Sequence, residues 1–325
     1  MQSILIIQTA FIGDVILATP VAKELKRLYP YSKIDFLVKK GNGILLQNNP
    51  SVRKTLEFDK TSGKLKEVRR LVKEIRAEHY DLVVNLHRFG SSGILTILSG
   101  AKRTIGFSKN PLSLFFSKRY PHSMQKGEHE VERNLTLINE FGAASSSRPD
   151  LFPKNIDFES TAHLKTRPYY CMAPASVWFT KQMPEEKWIE LIKLKSNEAK
   201  IFLLGGPDDF SLCDRILKES SVDDVENLAG QLSLMESAAL IKDAKRTYVN
   251  DSGPLHLASS VNAPVTAFFC STIPSFGFGP LSEDSQTIET REKLSCKPCG
   301  LHGLKQCPKN HFKCGNGIDI TNANS

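Results

Sequence analysis

The feature that most constrains the fold is a repeated alternation in which a short apolar run leads through a polar or glycine-bearing turn into an amphipathic helix. Residues 4–7 (Ile-Leu-Ile-Ile) form the first run, and Val15, Leu17, Ala18, Val21, Ala22, Leu25 and Leu28 mark a helix over about 15–29. Strands covered by helices on both faces read as unbroken apolar runs, so each repeat is one β-α step of a parallel sheet. Further strands are expected at 33–39, 55–58, 81–86 and 103–107, a short helix near 41–49, and helices over 64–78 and 94–99, the last after a polar turn at 87–93. Residues 110–128 have no period and read as a long functional or mobile loop. A helix then opens at His129 and ends at Gly142.

Residues 143–167 are rich in Ser, Pro and charge, and a domain boundary is expected there, giving domains 1–160 and 161–325. The rhythm restarts with strands at 169–173, 201–204, 225–228, 246–250 and 264–269. Helices are expected over 184–195, with Pro184 at the first helical position, and over 208–218, 233–243 and 254–261. Ser233 and Glu236 form a capping box. The fold class is therefore α/β, two doubly wound, Rossmann-like parallel-sheet domains.

Open α/β sheets bind ligands beyond the carboxyl ends of their strands. Gly13 and Asp14 lie there after the first strand; Gly13 allows close backbone approach, and Asp14 is either a helix cap or a carboxylate facing the crevice. The stretch Asn250-Asp251-Ser252-Gly253-Pro254-Leu255-His256-Leu257-Ala258 joins a strand end to a helix start, where free N–H groups and the helix dipole favour an anion. It reads as a pyrophosphate seat or as an ordinary capped helix. Lys181, at the mouth of the second domain, is a solvated lysine or a point-charge phosphate clamp. Asp208 is a helix-cap candidate.

Four of these elements together resemble glycosyltransferase family 9, the ADP-heptose:lipopolysaccharide heptosyltransferases. They are the opening Gly13-Asp14 with Ala18-Thr19-Pro20; His129-x-x-Glu132-Arg133; Pro174-Ala-Ser176 with Lys181 ahead of Pro184 and Trp188; and the Asp251-Ser252-Gly253-x-x-His256-Leu-Ala signature. Met183 stands where relatives carry Trp. The resemblance implies the GT-B architecture, two such domains facing a cleft, and inverting transfer of heptose from ADP-heptose to the inner core (Kdo or heptose) of lipopolysaccharide. It implies Asp14 as general base, and donor or phosphate contacts at Thr9, Gly13, Ser176, Lys181, Asp209 (to a ribose hydroxyl), Asp251, Ser252, Gly253 and His256. His129 and Arg133, with Lys109, Lys118 and Arg119, are the acceptor-binding candidates. Another nucleotide sugar as donor is the alternative within the family.

Charge fits an anionic partner without naming it. The net charge is +8, and residues 102–126 hold six basic side chains (Lys102, Arg103, Lys109, Lys118, Arg119, Lys126) and no acid, interleaved with Phe107, Leu114, Phe115, Phe116 and Tyr120. For a lipid A-Kdo type acceptor this stretch is expected to touch the inner face of the inner membrane. No apolar run approaches the ~20 residues of a membrane span, and Met1 leads into a strand without a signal-peptide pattern, so a cytoplasmic location is expected. No Gly-x-Gly-x-x-Gly, no Gly-x-x-x-x-Gly-Lys-Ser/Thr and no Asp-x-Asp occurs. Neither a dinucleotide, a metal nor any other cofactor is expected.

Seven cysteines, an odd number, argue against a disulfide framework. The tail packs Cys296, Cys299, Cys307 and Cys314 with His302 and His311 into nineteen residues. Cys-x-x-Cys is a good zinc half-site, but Cys307 and Cys314 lack tight spacing. Packed, reduced cysteines are expected, with zinc as the alternative. Relatives carry a similar tail and run on into a final helix, whose domain-bridging role is open here. A zinc-containing nucleic-acid binder is the reading from a different class; it leaves two α/β domains without a role, and no nucleic acid is expected as partner.

Overall fold

A computed structural model describes residues 1–124, 127–142 and 148–323. Lys126, at the end of the basic stretch, and residues 143–147 of the expected boundary lie outside them. The chain divides into two compact units, Met1–Phe152 and Pro153–Ser325.

The first unit runs β1 (Ser3–Gln8), α1 (Ile12–Ile16), α2 (Thr19–Leu28), β2 (Lys33–Lys39), β3 (Lys54–Phe58), α3 (Lys64–Ala77), β4 (Leu82–Asn85), α4 (Gly90–Ile97), β5 (Arg103–Phe107), β6 (Lys118–Tyr120) and α5 (Glu130–Thr136). Its strands are parallel in the order β3-β2-β1-β4-β5-β6, with Ile7 opposite Asn85 across the central pair. Ile4–Ile7 are fully buried, each side chain contributing about 1.5–3 kcal/mol by leaving water. Val68, Leu71 and Ile75 of α3 cover Leu5, Leu37 and Val83.

The second unit contains α6 (Asn155–Thr161), β7 (Tyr169–Ala173), α7 (Glu185–Lys195), β8 (Lys200–Leu203), α8 (Phe210–Ser220), β9 (Val225–Asn227), α9 (Leu234–Lys242), β10 (Arg246–Asn250), α10 (Gly253–Ser260), β11 (Val265–Phe269), β12 (Ser285–Glu289) and α11 (Lys313–Asn316). The sheet order is β12-β11-β10-β7-β8-β9. Trp188 of α7 is fully buried, edge-on to Phe268 with ring centroids 5.5 Å apart.

Several local expectations need correction. The helix over 15–29 is two helices, because Pro20 has no N–H to continue the ladder; the Thr19 hydroxyl instead donates to the Ile16 carbonyl at 2.8 Å. The 87–93 turn is shorter, since Gly90 and its neighbours already belong to α4. The 110–128 loop contains the edge strand β6, whose charged Lys118 and Arg119 suit an edge. Of its aromatic residues Phe115 is exposed but Phe116 is buried on Gly106. The 143–167 stretch contains α6, packed on α9. Pro184 is the N-cap of α7 rather than its first residue. The Ser233–Glu236 capping box forms as expected, with N–H···O distances of 2.8 and 3.2 Å.

Candidate functional site

Both sheets reverse their winding at the central pair, β1/β4 in the first unit and β7/β10 in the second, and the turns after these four strands carry most of the candidate residues.

In the first unit Asp14 is the third residue of α1, not its N-cap; its Oδ2 accepts the Phe11 N–H at 3.1 Å. Burial of the carboxyl group, then the nearby Glu130 charge, raises its pKa from 3.8 to about 6, against the Phe11 N–H and Arg88, which lower it. Gly13 is in ordinary helical backbone, so its value there is its missing side chain rather than a left-handed φ. Thr9 is fully buried, its hydroxyl 2.9 Å from His87 Nδ1 and its carbonyl accepting Lys60 Nζ at 2.7 Å. Burial, with Lys60 and Arg88, lowers the His87 pKa to about 4, so this imidazole is neutral at physiological pH. Thr9, Lys60 and His87 line a cavity of about 440 Å³ with Lys39 at its wall and Phe11 and Phe89, both largely exposed, at its edge.

The acceptor candidates His129 and Arg133 are both engaged by groups of the protein. His129 caps α5, its Nδ1 accepting the Val131 N–H at 3.2 Å while Glu132 accepts the His129 N–H at 2.8 Å. Arg133 is buried and donates to Glu130 at 2.8 Å; His122 Nε2 lies 3.3 Å from the same carboxylate, and Arg88 is 3.5 Å from His122 Nδ1. Burial alone would raise the Glu130 pKa, but His122 and Arg133 outweigh it and hold it below the usual range. Glu130 therefore remains an anion and acts on Asp14 as one. Lys109 and Arg119 are exposed on the β6 side, and Lys118 lies 3.3 Å from Glu140.

In the second unit Lys181 Nζ is 2.7 Å from Asp251 Oδ2, beside the N-terminus of α10. Ser252 is the N-cap by position, but its hydroxyl turns back to the Asn250 carbonyl at 3.4 Å, and no side chain caps the helix. The first N–H groups of α10 thus receive no side-chain oxygen from the cap. His256 is buried beside Phe278. Ser176 is half-buried, and its carbonyl accepts Gln182 Nε2 at 2.7 Å. Asp209, not Asp208, is the capping residue, accepting the Gly206 N–H at 2.8 Å. Asn250 joins the two loops, donating to the Pro174 carbonyl at 2.7 Å and accepting the Met183 N–H at 2.9 Å.

In the tail, Cys296 Sγ is 3.9 Å from His311 Nε2 and Cys314 is buried in the core. Among the described residues no group of three or more His, Cys, Asp or Glu side chains is arranged to hold a metal ion, and no helix is long and apolar enough to cross a membrane.

Sequence reasoning missed His122, Glu130, Lys39, Lys60, Asn250 and Thr272, whose hydroxyl donates to Asp251 at 2.6 Å. The burial of His122 and Glu130 depends on His122 packing edge-on to Phe107 of β5 while facing Glu130 of α5, which no local pattern reveals. Asn250 at the end of an apolar strand was the one readable signal.

The sequence model of glycosyltransferase family 9 (heptosyltransferase) matches residues 68–307. The chain is 30% identical over 277 residues to lipopolysaccharide heptosyltransferase 3 of Escherichia coli, covering 81% of this chain and 82% of that one. Its fold matches the structure of E. coli ADP-heptose lps heptosyltransferase II with a TM-score of 0.79 at 22% identity, covering 97% and 98% of the two chains. An E. coli heptosyltransferase solved with ADP gives 0.74, also at 22% identity, over 88% of this chain and 92% of that one. With the family model spanning well over half of its length and the two doubly wound sheets of the GT-B class beneath it, this chain belongs to glycosyltransferase family 9, the heptosyltransferases.

Proposed function

We propose that the protein transfers heptose from ADP-heptose to a hydroxyl of the lipopolysaccharide inner core by a single inverting displacement. The relatives named for heptosyl transfer to lipopolysaccharide and the neighbour solved with ADP support this substrate pair. The observation that carries the reading is Asp14: a carboxyl with a pKa of about 6 at the end of β1 is mostly ionised at pH 7 yet basic enough to take a proton.

In this reading the acceptor oxygen attacks the anomeric carbon while Asp14 removes its proton, through an oxocarbenium-like state. The bond to the ADP oxygen breaks, and the released diphosphate charge is met by Lys181 and the N–H groups opening α10. Ser252 and Gly253 contact the diphosphate, Asp251 and His256 the sugar, and Asp209 a ribose hydroxyl. Thr9 has its hydroxyl committed to His87 and orients that ring.

The acceptor's anionic sugars occupy the cavity lined by Lys39 and Lys60, which offers cationic charge and aromatic faces together. Lys109, Lys118, Arg119 and the exposed Leu114 and Phe115 rest on an anionic membrane surface. The transfer requires no metal, because Lys181 and the helix end supply the positive charge.

A nucleotide panel tests the donor. ADP should raise the melting temperature more than UDP or GDP; equal or greater stabilisation by UDP would assign another donor class.

A further inference from the structure

The cysteine-rich tail turns back onto the segment that carries Lys181. Gly303 has a φ of +77°, and a Cβ there would lie 2.9 Å from Lys181 Cγ and 3.0 Å from Trp178 Cβ. Neither neighbour is the free end of a flexible chain, so a side chain at 303 has to push the lysine stem aside. One residue on, the Leu304 N–H donates to Thr180 Oγ1 at 2.8 Å, and the Thr180 N–H donates to the Leu304 carbonyl at 3.1 Å. Thr180 is buried, and it binds the end of β11 as well: Ser271 Oγ donates to its hydroxyl at 2.9 Å and the Ser271 N–H to its carbonyl at 3.1 Å. The tail is itself anchored there, with the Cys299 N–H donating to the Ser271 carbonyl at 3.0 Å.

We infer that Gly303 and Leu304 form a buttress for Lys181, with Gly303 and Thr180 as positioning residues that aim its ammonium at the nucleoside diphosphate. The Cγ of the Lys181 stem lies against Gly303, and its ammonium is held at Asp251 beside the α10 N-terminus. A preorganised cation loses less rotamer freedom when the diphosphate arrives. The inference rests on the phosphate-clamp reading of Lys181.

Gly300 supplies the control. Its φ is +132°, also a conformation that side chains avoid, but a Cβ there meets nothing within 4 Å. Gly300→Ala strains the same loop without touching Lys181. The experiment measures ADP dissociation constants by calorimetry on the full chain. Gly303→Ala should weaken ADP by about tenfold, Gly300→Ala by no more than about twofold, and Gly303→Ala should add nothing further in a Lys181→Ala background. Equal effects of the two glycine substitutions, or an undiminished effect of Gly303→Ala without Lys181, would overturn the buttress alone. Lys181→Ala with unchanged ADP affinity would overturn the phosphate clamp and the buttress with it. Should Gly303→Ala fail to fold, Thr180→Val and Thr180→Ser test the same contact. Valine removes the hydroxyl that Leu304 and Ser271 share and should weaken ADP; serine keeps it and should bind like wild type, and serine as weak as valine overturns the inference.

Discussion

Lys181 Nζ and Asp251 Oδ2 stand 2.7 Å apart, and that same carboxylate oxygen takes the Thr272 hydroxyl at 2.6 Å. The cation proposed to receive the diphosphate is therefore already held by an acid, and an incoming anion competes with Asp251 for it. Asp251→Asn removes both the competitor and a nearby like charge. It should tighten ADP binding by about tenfold while slowing transfer, because the sugar loses a carboxylate partner. Calorimetry with ADP decides it: weaker binding in the mutant would show that Asp251 serves the nucleotide directly.

Asp14→Asn should lower turnover by about 10²–10⁴-fold and leave ADP affinity unchanged. The amide oxygen can still accept the Phe11 N–H, so the helix start survives. Turnover above a tenth of wild type would reduce Asp14 to a capping residue. The same substitution should raise the melting temperature at pH 7. In the folded protein the Asp14 pKa lies at about 6 against an ordinary 3.8, so its contribution to stability is full below 3.8 and lost as pH rises through 6. The carboxylate then costs roughly 3 kcal/mol at neutral pH, a cost the amide does not carry.

The acid limb of kcat/KM should fall at about pH 6, tenfold for each further pH unit, because the protonated carboxyl cannot accept a proton. Glu130→Gln should move this limb to lower pH, since Glu130 is the second-largest cause that raises Asp14. The mutant should also lose stability, as buried Arg133 is left with a neutral partner, a change typically worth about 3–5 kcal/mol. A pH–rate profile identical to wild type would remove Glu130 from the control of Asp14.

Transfer should persist in EDTA. The chain has no Asp-x-Asp pair, and a lysine with a helix N-terminus meets the diphosphate charge in this reading. Activity lost to the chelator and restored by Mg²⁺ or Mn²⁺ would reverse this assignment, and restoration by zinc alone would assign the tail a structural metal.

Replacing Lys109, Lys118 and Arg119 with Ser should weaken sedimentation with anionic vesicles, each cation near the surface contributing about 1 kcal/mol, while ADP affinity holds. Lys118 is partly engaged with Glu140 and should account for the smallest share. Unchanged vesicle binding at low salt, where screening is weakest, would remove the membrane contact.

What the sequence revealed followed burial pattern. The apolar runs at Ile4–Ile7 and 265–269 marked interior strands because helices cover them on both sides, and the Ser233–Glu236 box was readable from spacing alone. The edge strands β6 and β12 were missed because Lys118-Arg119-Tyr120 and Ser-Gln-Thr-Ile-Glu carry the polar composition that exposed edges need. The placement of Asp14 and Lys181 on turns beyond strand ends was legible from local pattern, and their roles belong to the proposal. The site was illegible where charges are buried in pairs, as with His122, Glu130 and Arg133, since a motif gives the residues but not their partners. Thr9 shows the opposite limit: the position was readable, but its commitment to His87, 78 residues away in sequence, was not.

The identical strand order of the two sheets has an evolutionary consequence. Each half of the chain places its own candidate turns after its own two central strands, and each has its own core. On the proposed assignment, residues that choose the nucleotide and residues that choose the acceptor therefore sit in different halves of the chain. On that assignment, substitutions in one half leave the other half's core unchanged, and exchanging either half between relatives should transplant one specificity at a time.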